Sequence, residues 1–466
     1  MLAAGLTAWA HALLACGPPP EIRHVVVVSL DTIGARHVSA YGYDRETTPH
    51  LDAVAAVGVL FENAYTQQTW TLTSHITMMT GLHPEVHGVT KRRPASPSAV
   101  TLAEILRERG FATAAFTGAG GWMHPGFGLG RGFDTYEMGR HDAQADAARA
   151  TAWLREQADQ LETDPEYRFF LFVHFFDAHS GGKDVPYYAP PPYGARYLPE
   201  GSRWERGGSA TGLNELAKQG PSELDREIVT AYYDAAVSYV DAEGLAPVVD
   251  TLRELGLDDE TLLVVTSDHG EEIFEHGNVL HRQPYDETTR VPLVFRGPGI
   301  PAGERVAELA ALVDLTPTVL SLLSLPIPAH MQGRDLAPLW RGAGPVNDAV
   351  YVDGGDSHGF PYQSSVIADV EGRRWSYITT VRRVGKPLFR QLVAQGPREL
   401  YALDDDPEQR HNVAAQHPEV ARGLEARLLA WFRDNETRAR RLGRSRETQI
   451  LTPEEQGHLE ALGYVE

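Results

Sequence analysis

The sequence predicts an α/β fold: a three-layer α/β/α sandwich with a mostly parallel central sheet, followed by a smaller C-terminal α+β subdomain with an antiparallel sheet. Three observations carry this expectation. His24–Leu30 (HVVVVSL), Arg168–Phe176 (RFFLFVHFF) and Thr261–Thr266 (TLLVVT) are almost unbroken apolar runs, the pattern of strands buried on both faces of a parallel sheet. Segments of helical periodicity stand between them, and such alternation calls for helices on both faces. After about Gly342 the character changes and short strand-like runs crowd together.

In chain order, Pro49–Val57 reads as a short helix and Ser98–Arg109 as an amphipathic one closed by Gly110. Residues 111–117 read as a strand and Ala143–Gln160 as a long alanine-rich helix. Glu223–Leu255 reads as one or two helices, Val291–Phe295 as a strand and Leu312–Leu323 as a helix. Pro186–Gly208, rich in Pro, Tyr and Gly, is a surface excursion near the site rather than a linker. Ala349–Asp353, Ser364–Asp369 and Arg374–Val381 read as short antiparallel strands with Pro418–Asp434 as a helix upon them, and Arg438–Arg446 as a solvated basic run. The expected organisation is a main domain over 24–342, a subdomain over 343–435 and a tail over 436–466.

The chain has 466 residues, 42% hydrophobic and 23% charged, which excludes a disordered chain, a collagen-like fibre and a multi-span membrane protein. Its charge balance, 42 − 63 = −21, repels nucleic acid and anionic membrane surfaces. An anionic substrate therefore needs a local source of positive charge, such as a metal ion. Cys16 is the single cysteine, so no intramolecular disulfide and no Cys-based zinc cluster can form. The apolar run 2–15 ahead of Cys16 reads as a lipoprotein-type signal peptide (1–16), with Pro18-Pro19-Pro20 in a stiff linker (17–23). It is shorter than the roughly 20 residues of a membrane-spanning helix. The expectation is export to a bacterial cell envelope, as a periplasmic or outer-membrane lipoprotein, with membrane contact only through a lipid on Cys16.

In an open α/β sheet, ligands bind at the carboxyl ends of the strands. The residues just past the three strong strands are Asp31, then Asp177 and His179, then Ser267, Asp268 and His269. Carboxylates plus imidazole, without thiolate, suit Zn²⁺, Mn²⁺, Mg²⁺ or Ca²⁺. A second element is Thr69-Trp70-Thr71-Leu72-Thr73-Ser74-His75. Thr73 or Ser74 is expected to cap a short helix running to Gly81, with Thr71 just before it. A hydroxyl there sits beside backbone N–H groups and the positive end of the helix dipole, a place for a tetrahedral oxyanion.

At this point the residues resemble a family. VVVVSLDTIGARHVSAYG, TTPHLDAVAAVGVLFENAY, TWTLTSHITMMTGLHPEVHGV, FLFVHFFDAH, TSDHGEEIFEHG, TRVPLVF, MQGRDLAPL and LEALGYV follow in order along residues 24–466. Together they resemble the sulfatase-like branch of the alkaline phosphatase superfamily. The resemblance implies an alkaline phosphatase-like catalytic domain in which Asp31, Asp268 and His269 bind a divalent metal and Thr71 stands at the nucleophile position and joins the metal shell. It also implies that His179 contacts the transferred group. His281 stands where sulfatases usually carry lysine, and at that spacing some phosphotransferase relatives use histidine for phosphate or a second metal. His276 and Arg290 are expected around the site, and His75 at the position of a substrate-binding arginine.

The departures bear on the chemistry. Sulfatases carry C-x-P-S-R or S-x-P-S-R, whose first residue becomes formylglycine; here it is Thr71, which cannot, and the arginine is His75. Thr32 replaces the second aspartate of the usual pair, and TGAGGW (117–122) lacks the usual Lys and His. A sulfated threonine has no second hydroxyl through which to expel sulfate. A phosphorylated threonine is open to in-line attack at phosphorus. The expectation is therefore a metal-dependent hydrolase of a phosphate ester, with sulfate ester second, working on an anionic small molecule or a glycan or lipid ester. Its alternatives are a phospho-headgroup transferase acting on envelope glycan or lipid, and a silent protein that binds anionic glycan.

Overall fold

The computed structural model of the protein describes residues 21–118, 121–139, 142–181, 184–354, 363–384 and 391–448. The apolar run 2–15, Cys16 and the LEALGYV segment lie outside the described residues. Among the described residues no helix is long and apolar enough to cross a membrane.

The strands of the main sheet and its satellite hairpin are β1 (His24–Leu30), β2 (Val59–Tyr65), β3 (Phe111–Thr117), β4 (Thr135–Met138), β5 (Arg168–Phe175), β6 (Thr261–Thr266), β7 (Glu272–Ile273), β8 (Val279–Leu280), β9 (Leu293–Arg296) and β10 (Glu304–Ala311). The helices are α1 (Pro49–Ala56), α2 (Thr71–Thr80), α3 (Pro84–His87), α4 (Leu102–Glu108), α5 (Ala143–Thr163), α6 (Ala210–Gln219), α7 (Glu223–Tyr239), α8 (Ala246–Glu254), α9 (Asp286–Thr289), α10 (Leu315–Leu322) and α11 (Pro418–Leu442). The main sheet runs β10-β2-β9-β6-β1-β5-β3-β4. Every pairing in it is parallel except those of β9 with β2 and β6. β7 and β8 form a separate antiparallel hairpin.

Alternation along β1 explains the three layers. Val25 and Val27 join one core with Leu72 and Ile76 of α2, Leu102 and Leu106 of α4 and Leu315 and Val319 of α10. Val26, Val28 and Leu30 join the other with Leu51 and Val54 of α1, Ala147, Ala150 and Leu154 of α5 and Val237 of α7. A strand apolar at every position can satisfy both faces, which is why the unbroken runs lie at the centre.

The C-terminal part forms an antiparallel sheet from β11 (Val350–Val352), β12 (Gln363–Val370), β13 (Arg373–Val384), β14 (Gln391–Ala394) and β15 (Glu399–Ala402). α11 packs Leu424, Leu428 and Phe432 on its Trp375 and Tyr377 face. The expected end of this helix at Asp434 is corrected to Leu442, because Asn435 and Ala439 extend the buried stripe to 0% and 4% exposure. The helix expected from Ser98 starts only after Thr101, whose hydroxyl and Glu104 close a capping box.

Candidate active site

β1, β5 and β6 run side by side, with Ser29 level with His174 on one flank and Thr266 on the other. Their carboxyl ends therefore deliver Asp31 and the Ser267-Asp268-His269 turn to one place. Asp31 is anchored by its N–H to the Phe175 carbonyl (2.9 Å). Asp268 Oδ1 accepts from the N–H groups of Thr32 (3.1 Å) and His269 (2.9 Å), which locks the two turns together. Thr32 makes this bond at φ 58°, a costly conformation for a β-branched residue and one that concentrates at functional sites. Gly34 and Gly270 touch back to back: a Cβ on Gly34 would lie 3.4 Å from the Gly270 Cα.

α2 brings the alcohol. The helix starts at Thr71 itself with Trp70 as its cap residue and no side-chain cap, which corrects the expectation that Thr73 or Ser74 caps it. Those hydroxyls are used elsewhere: Thr73 donates to the Trp70 carbonyl (3.0 Å) and Ser74 to the Asp268 carbonyl (2.8 Å). Thr71 is thus in the first turn, where backbone N–H groups have no intrahelical partner. Its Oγ1 lies 3.4 Å from Asp31 Oδ2 and 3.5 Å from His269 Nε2, and the side chain is fully buried.

Ligand atoms of Asp31, Asp268 and His269 all lie within 4.8 Å of one another. Asp31 Oδ1 and Asp268 Oδ2 are buried with no hydrogen-bond partner. His269 Nδ1–H donates to the Gly270 carbonyl (3.0 Å), so Nε2 carries the lone pair on the side of Thr71 and of Asp268 Oδ2, which is 3.3 Å away. Burial, then the neighbouring Asp268 carboxylate, pushes the Asp31 carboxyl well above the usual range. For Asp268 burial pushes the same way, but His269, His75 and the two backbone N–H groups hold it low. Two dry carboxylates with orphaned oxygens beside a lone-pair imidazole fit a divalent cation by donor chemistry.

His281 and His179 complete the cluster. His281, just past β8, sits with its ring 4.3 Å from that of His269 and 5.2 Å from that of His179. His179 Nδ1–H donates to the Ser180 carbonyl (2.7 Å). Burial holds His281 far below the usual imidazole range, and burial likewise lowers His75.

Three expected residues are not brought to the cluster as substrate or site groups. His75 is fully buried; its Nδ1–H donates to the Thr71 carbonyl (2.7 Å) and its Nε2 accepts from the Ser29 hydroxyl (2.9 Å). Both nitrogens are spent inside the protein, so it braces Thr71 from within rather than contacting substrate. His276 is stacked on Tyr285 and bonds Glu287 (2.6 Å) and the Gln409 carbonyl (3.1 Å). With acceptors at both nitrogens it is an imidazolium, and although burial opposes it, Glu287 raises its pKa. Its group with Glu272 and Glu287 is thus closed by a direct ion pair. Arg290 pairs with Asp286 (2.9 Å) and donates to the Glu62 carbonyl (3.2 Å). Residues that sequence reasoning missed are His174, whose Nε2 lies 2.9 Å from Asp31 Oδ2, and Glu271. His174 carried one signal, being the lone ionisable residue inside FLFVHFF.

Residues 23–325 match the sulfatase family model, and residues 274–434 match the model described as N-sulphoglucosamine sulphohydrolase, C-terminal. The chain is 24% identical over 461 residues to arylsulfatase K of Bos taurus, covering 88% of this chain and 81% of that protein. A solved 2-O GAG sulfatase superposes with a TM-score of 0.69 at 21% identity, covering 92% of this chain and 95% of the other. A phosphonate monoester hydrolase from Silicibacter pomeroyi does so with a TM-score of 0.66 at 21% identity, covering 89% and 96%.

Proposed function

The chain belongs to the sulfatase family, and on that premise we propose that it is a metal-dependent ester hydrolase whose nucleophile is unmodified Thr71 and whose preferred substrates are phosphoric esters. The observation that carries this reading is the Thr71 alcohol, 3.4 Å from Asp31 and 3.5 Å from His269 in the first turn of α2. Asp31, Asp268 and His269 would hold a divalent cation, with Thr71 Oγ1 beside it; bound there, the cation supplies Lewis acidity that lowers the pKa of a neighbouring alcohol. Thr71 Oγ1 attacks phosphorus in line as the bond from phosphorus to the leaving oxygen breaks, the alcohol's proton passing by way of the histidine pair to that oxygen, and the first-turn N–H groups of α2 bind non-bridging oxygens. His179 and His281 stabilise the equatorial charge and serve proton transfer to the leaving group and from water. His75 and Ser74 hold Thr71 and the Asp268 turn in register through their bonds to the Thr71 and Asp268 carbonyls. Glycan and lipid esters are the substrate class in view, and Cys16 as a lipid anchor would place the reaction in the cell envelope.

Phosphorus is preferred because a sulfated threonine lacks the second hydroxyl through which formylglycine expels sulfate. The names of the relatives favour the second reading, a sulfuric ester substrate. The test is a panel of aryl sulfate, phosphate monoester, phosphodiester and phosphonate ester on metal-analysed protein, with Thr71→Ala as the blank. Turnover of a phosphorus ester faster than that of aryl sulfate, lost in Thr71→Ala, is expected. Unchanged turnover in Thr71→Ala with full metal content contradicts the nucleophile, and faster sulfate turnover installs the second reading.

A further inference from the structure

We propose that Gln409 is a positioning residue of the active site: through it the C-terminal part of the chain clasps the β7–β8 hairpin and α9, and so holds His281 over His269. Residues 404–411, between β15 and α11, form a strap that meets the hairpin tip. Gln409 is the one buried residue of that strap, 2% exposed, and it stands at φ 53°. A residue with a Cβ keeps such a left-handed conformation only where its surroundings fix it. Each of its polar atoms is engaged. The carbonyl accepts from His276 Nε2–H at the hairpin tip (3.1 Å), and Oε1 accepts from the Asp286 N–H at the start of α9 (2.7 Å). Nε2 donates to the Ser376 hydroxyl of β13 (2.8 Å), and the backbone N–H donates to the Asp406 carbonyl (3.0 Å).

The hairpin needs such a clasp. β7 and β8 pair only Glu272 with Leu280 and Ile273 with Val279, and even a longer two-stranded hairpin is marginal in water by itself. Ile273, Phe274, Val279 and Leu280 root its base in the core. Its tip carries Glu275, His276 and Asn278 and is gripped from outside. Arg226 of α7 donates to the Phe274 carbonyl (2.7 Å), Arg410 of the strap to the Glu275 carbonyl (3.1 Å), and His276 to Gln409. His281 leaves β8 directly after Leu280, which has φ 73°, and its ring lies 4.3 Å from that of His269. A tilt of the hairpin therefore moves this imidazole. α9 conveys the second hold, because its Thr288 carbonyl accepts from the Gly270 N–H (2.8 Å) in the turn that carries His269.

The effect on rate rests on the role proposed for His281 in the phosphoester reaction. Gln409 touches neither substrate nor reacting atoms and acts by fixing where an imidazole stands. A residue that only adds stability lowers the folded fraction and leaves the kcat of folded molecules alone. A residue that positions His281 lowers kcat while Thr71 and the metal-binding group stay in place, so KM holds. Gln409→Ala removes the bonds to Asp286 and Ser376, which frees the strap to drift from the hairpin. Gln409→Glu keeps an acceptor for the Asp286 N–H, and the Ser376 hydroxyl can turn to donate to the other oxygen, so the clasp is preserved.

The experiment compares steady-state kinetics of metal-loaded wild type, Gln409→Ala and Gln409→Glu on a phosphate monoester, under conditions where urea melts show each one folded. Gln409→Ala is expected to lower kcat about tenfold to a hundredfold, the scale of a misplacement of up to about 1 Å, with KM within about twofold. Gln409→Glu is expected to stay within about threefold of wild-type kcat, since its hydrogen bonds are conserved. Wild-type kcat in folded Gln409→Ala, or an equal loss in both variants, overturns the proposal. Native-state hydrogen exchange of the unmodified protein tests it without any variant. The bonded amides of Phe274, His276 and Asn278 in the hairpin and of Gln409, Arg410 and His411 in the strap are expected to open as one unit. Independent opening of either segment overturns the proposal. Joint opening in a protein that turns over no phosphoester leaves the clasp standing and removes the hydrolase reading.

Discussion

Gly270→Ala tests whether close backbone approach builds the metal-binding cluster. A Cβ on Gly270 would fall 2.0 Å from the Glu287 carbonyl oxygen and 2.9 Å from the Gly34 Cα. Both contacts are backbone, so no side chain can swing aside. Relief requires the Asp268–Gly270 turn to move away from α9 or from the Asp31–Gly34 turn. Overpacking a dense interior costs about 1–3 kcal/mol, and with two backbone contacts this short the upper end applies. Because that turn carries Asp268 and His269, much of the strain is expected to appear as lost ligand geometry. Each 1.4 kcal/mol transferred costs about tenfold in cation affinity. The control is Gly423→Ala on α11, where a Cβ meets nothing within 4 Å, and a gain of up to about 1 kcal/mol is expected there. Calorimetric metal titration together with urea melts reads both quantities. Gly270→Ala with wild-type affinity and stability would refute the reasoning.

Two further outcomes follow from buried charge. Asp286 Oδ2 accepts from Arg36 (3.0 Å) and Arg290 (2.9 Å), so Asp286→Asn removes the carboxylate that two part-buried guanidiniums share and should cost about 3 kcal/mol in a urea melt at neutral pH; a loss under about 1 kcal/mol would contradict the assignment of Arg290 to the scaffold. Burial, followed by Glu287 and Glu275, raises Glu272 to about 8. Its folded pKa is above its unfolded one, so stability falls as pH climbs from about 4.5 toward 8. Glu272→Gln is therefore expected to stabilise the protein at pH 8 and not at pH 5, and equal effects at both would contradict it.

How much of this was legible follows from what each segment buries. β1, β5 and β6 read directly because both faces are covered. β2 (VLFENAY) and β10 (ERVAELAA) pair in parallel toward the sheet edge and carry polar residues, so neither run showed in the sequence. Val291–Phe295 read as a strand, but nothing local reveals that β9 inserts antiparallel between β2 and β6. Asp31, Asp268 and His269 were legible as residues just past strong strands. Thr71 was placed ahead of its helix because the hydroxyls of Thr73 and Ser74 suited a cap, whereas those two bond the Trp70 and Asp268 carbonyls instead. His75 was expected to bind substrate because it stands at the position of the family's arginine, and its inward bonds depend on Ser29 of β1. Glu271 has meaning only once the hairpin folds His281 back upon it, a contact between residues ten apart that no helical or strand period predicts.

The most direct measurement is rapid quenching of the metal-loaded enzyme during turnover of a phosphate ester, followed by peptide mass spectrometry. A phosphoryl group on Thr71 that rises and decays within a turnover, and is absent from Thr71→Ala, is the predicted result. Steady turnover with Thr71 never modified, or with the phosphoryl group on another residue, would contradict the account.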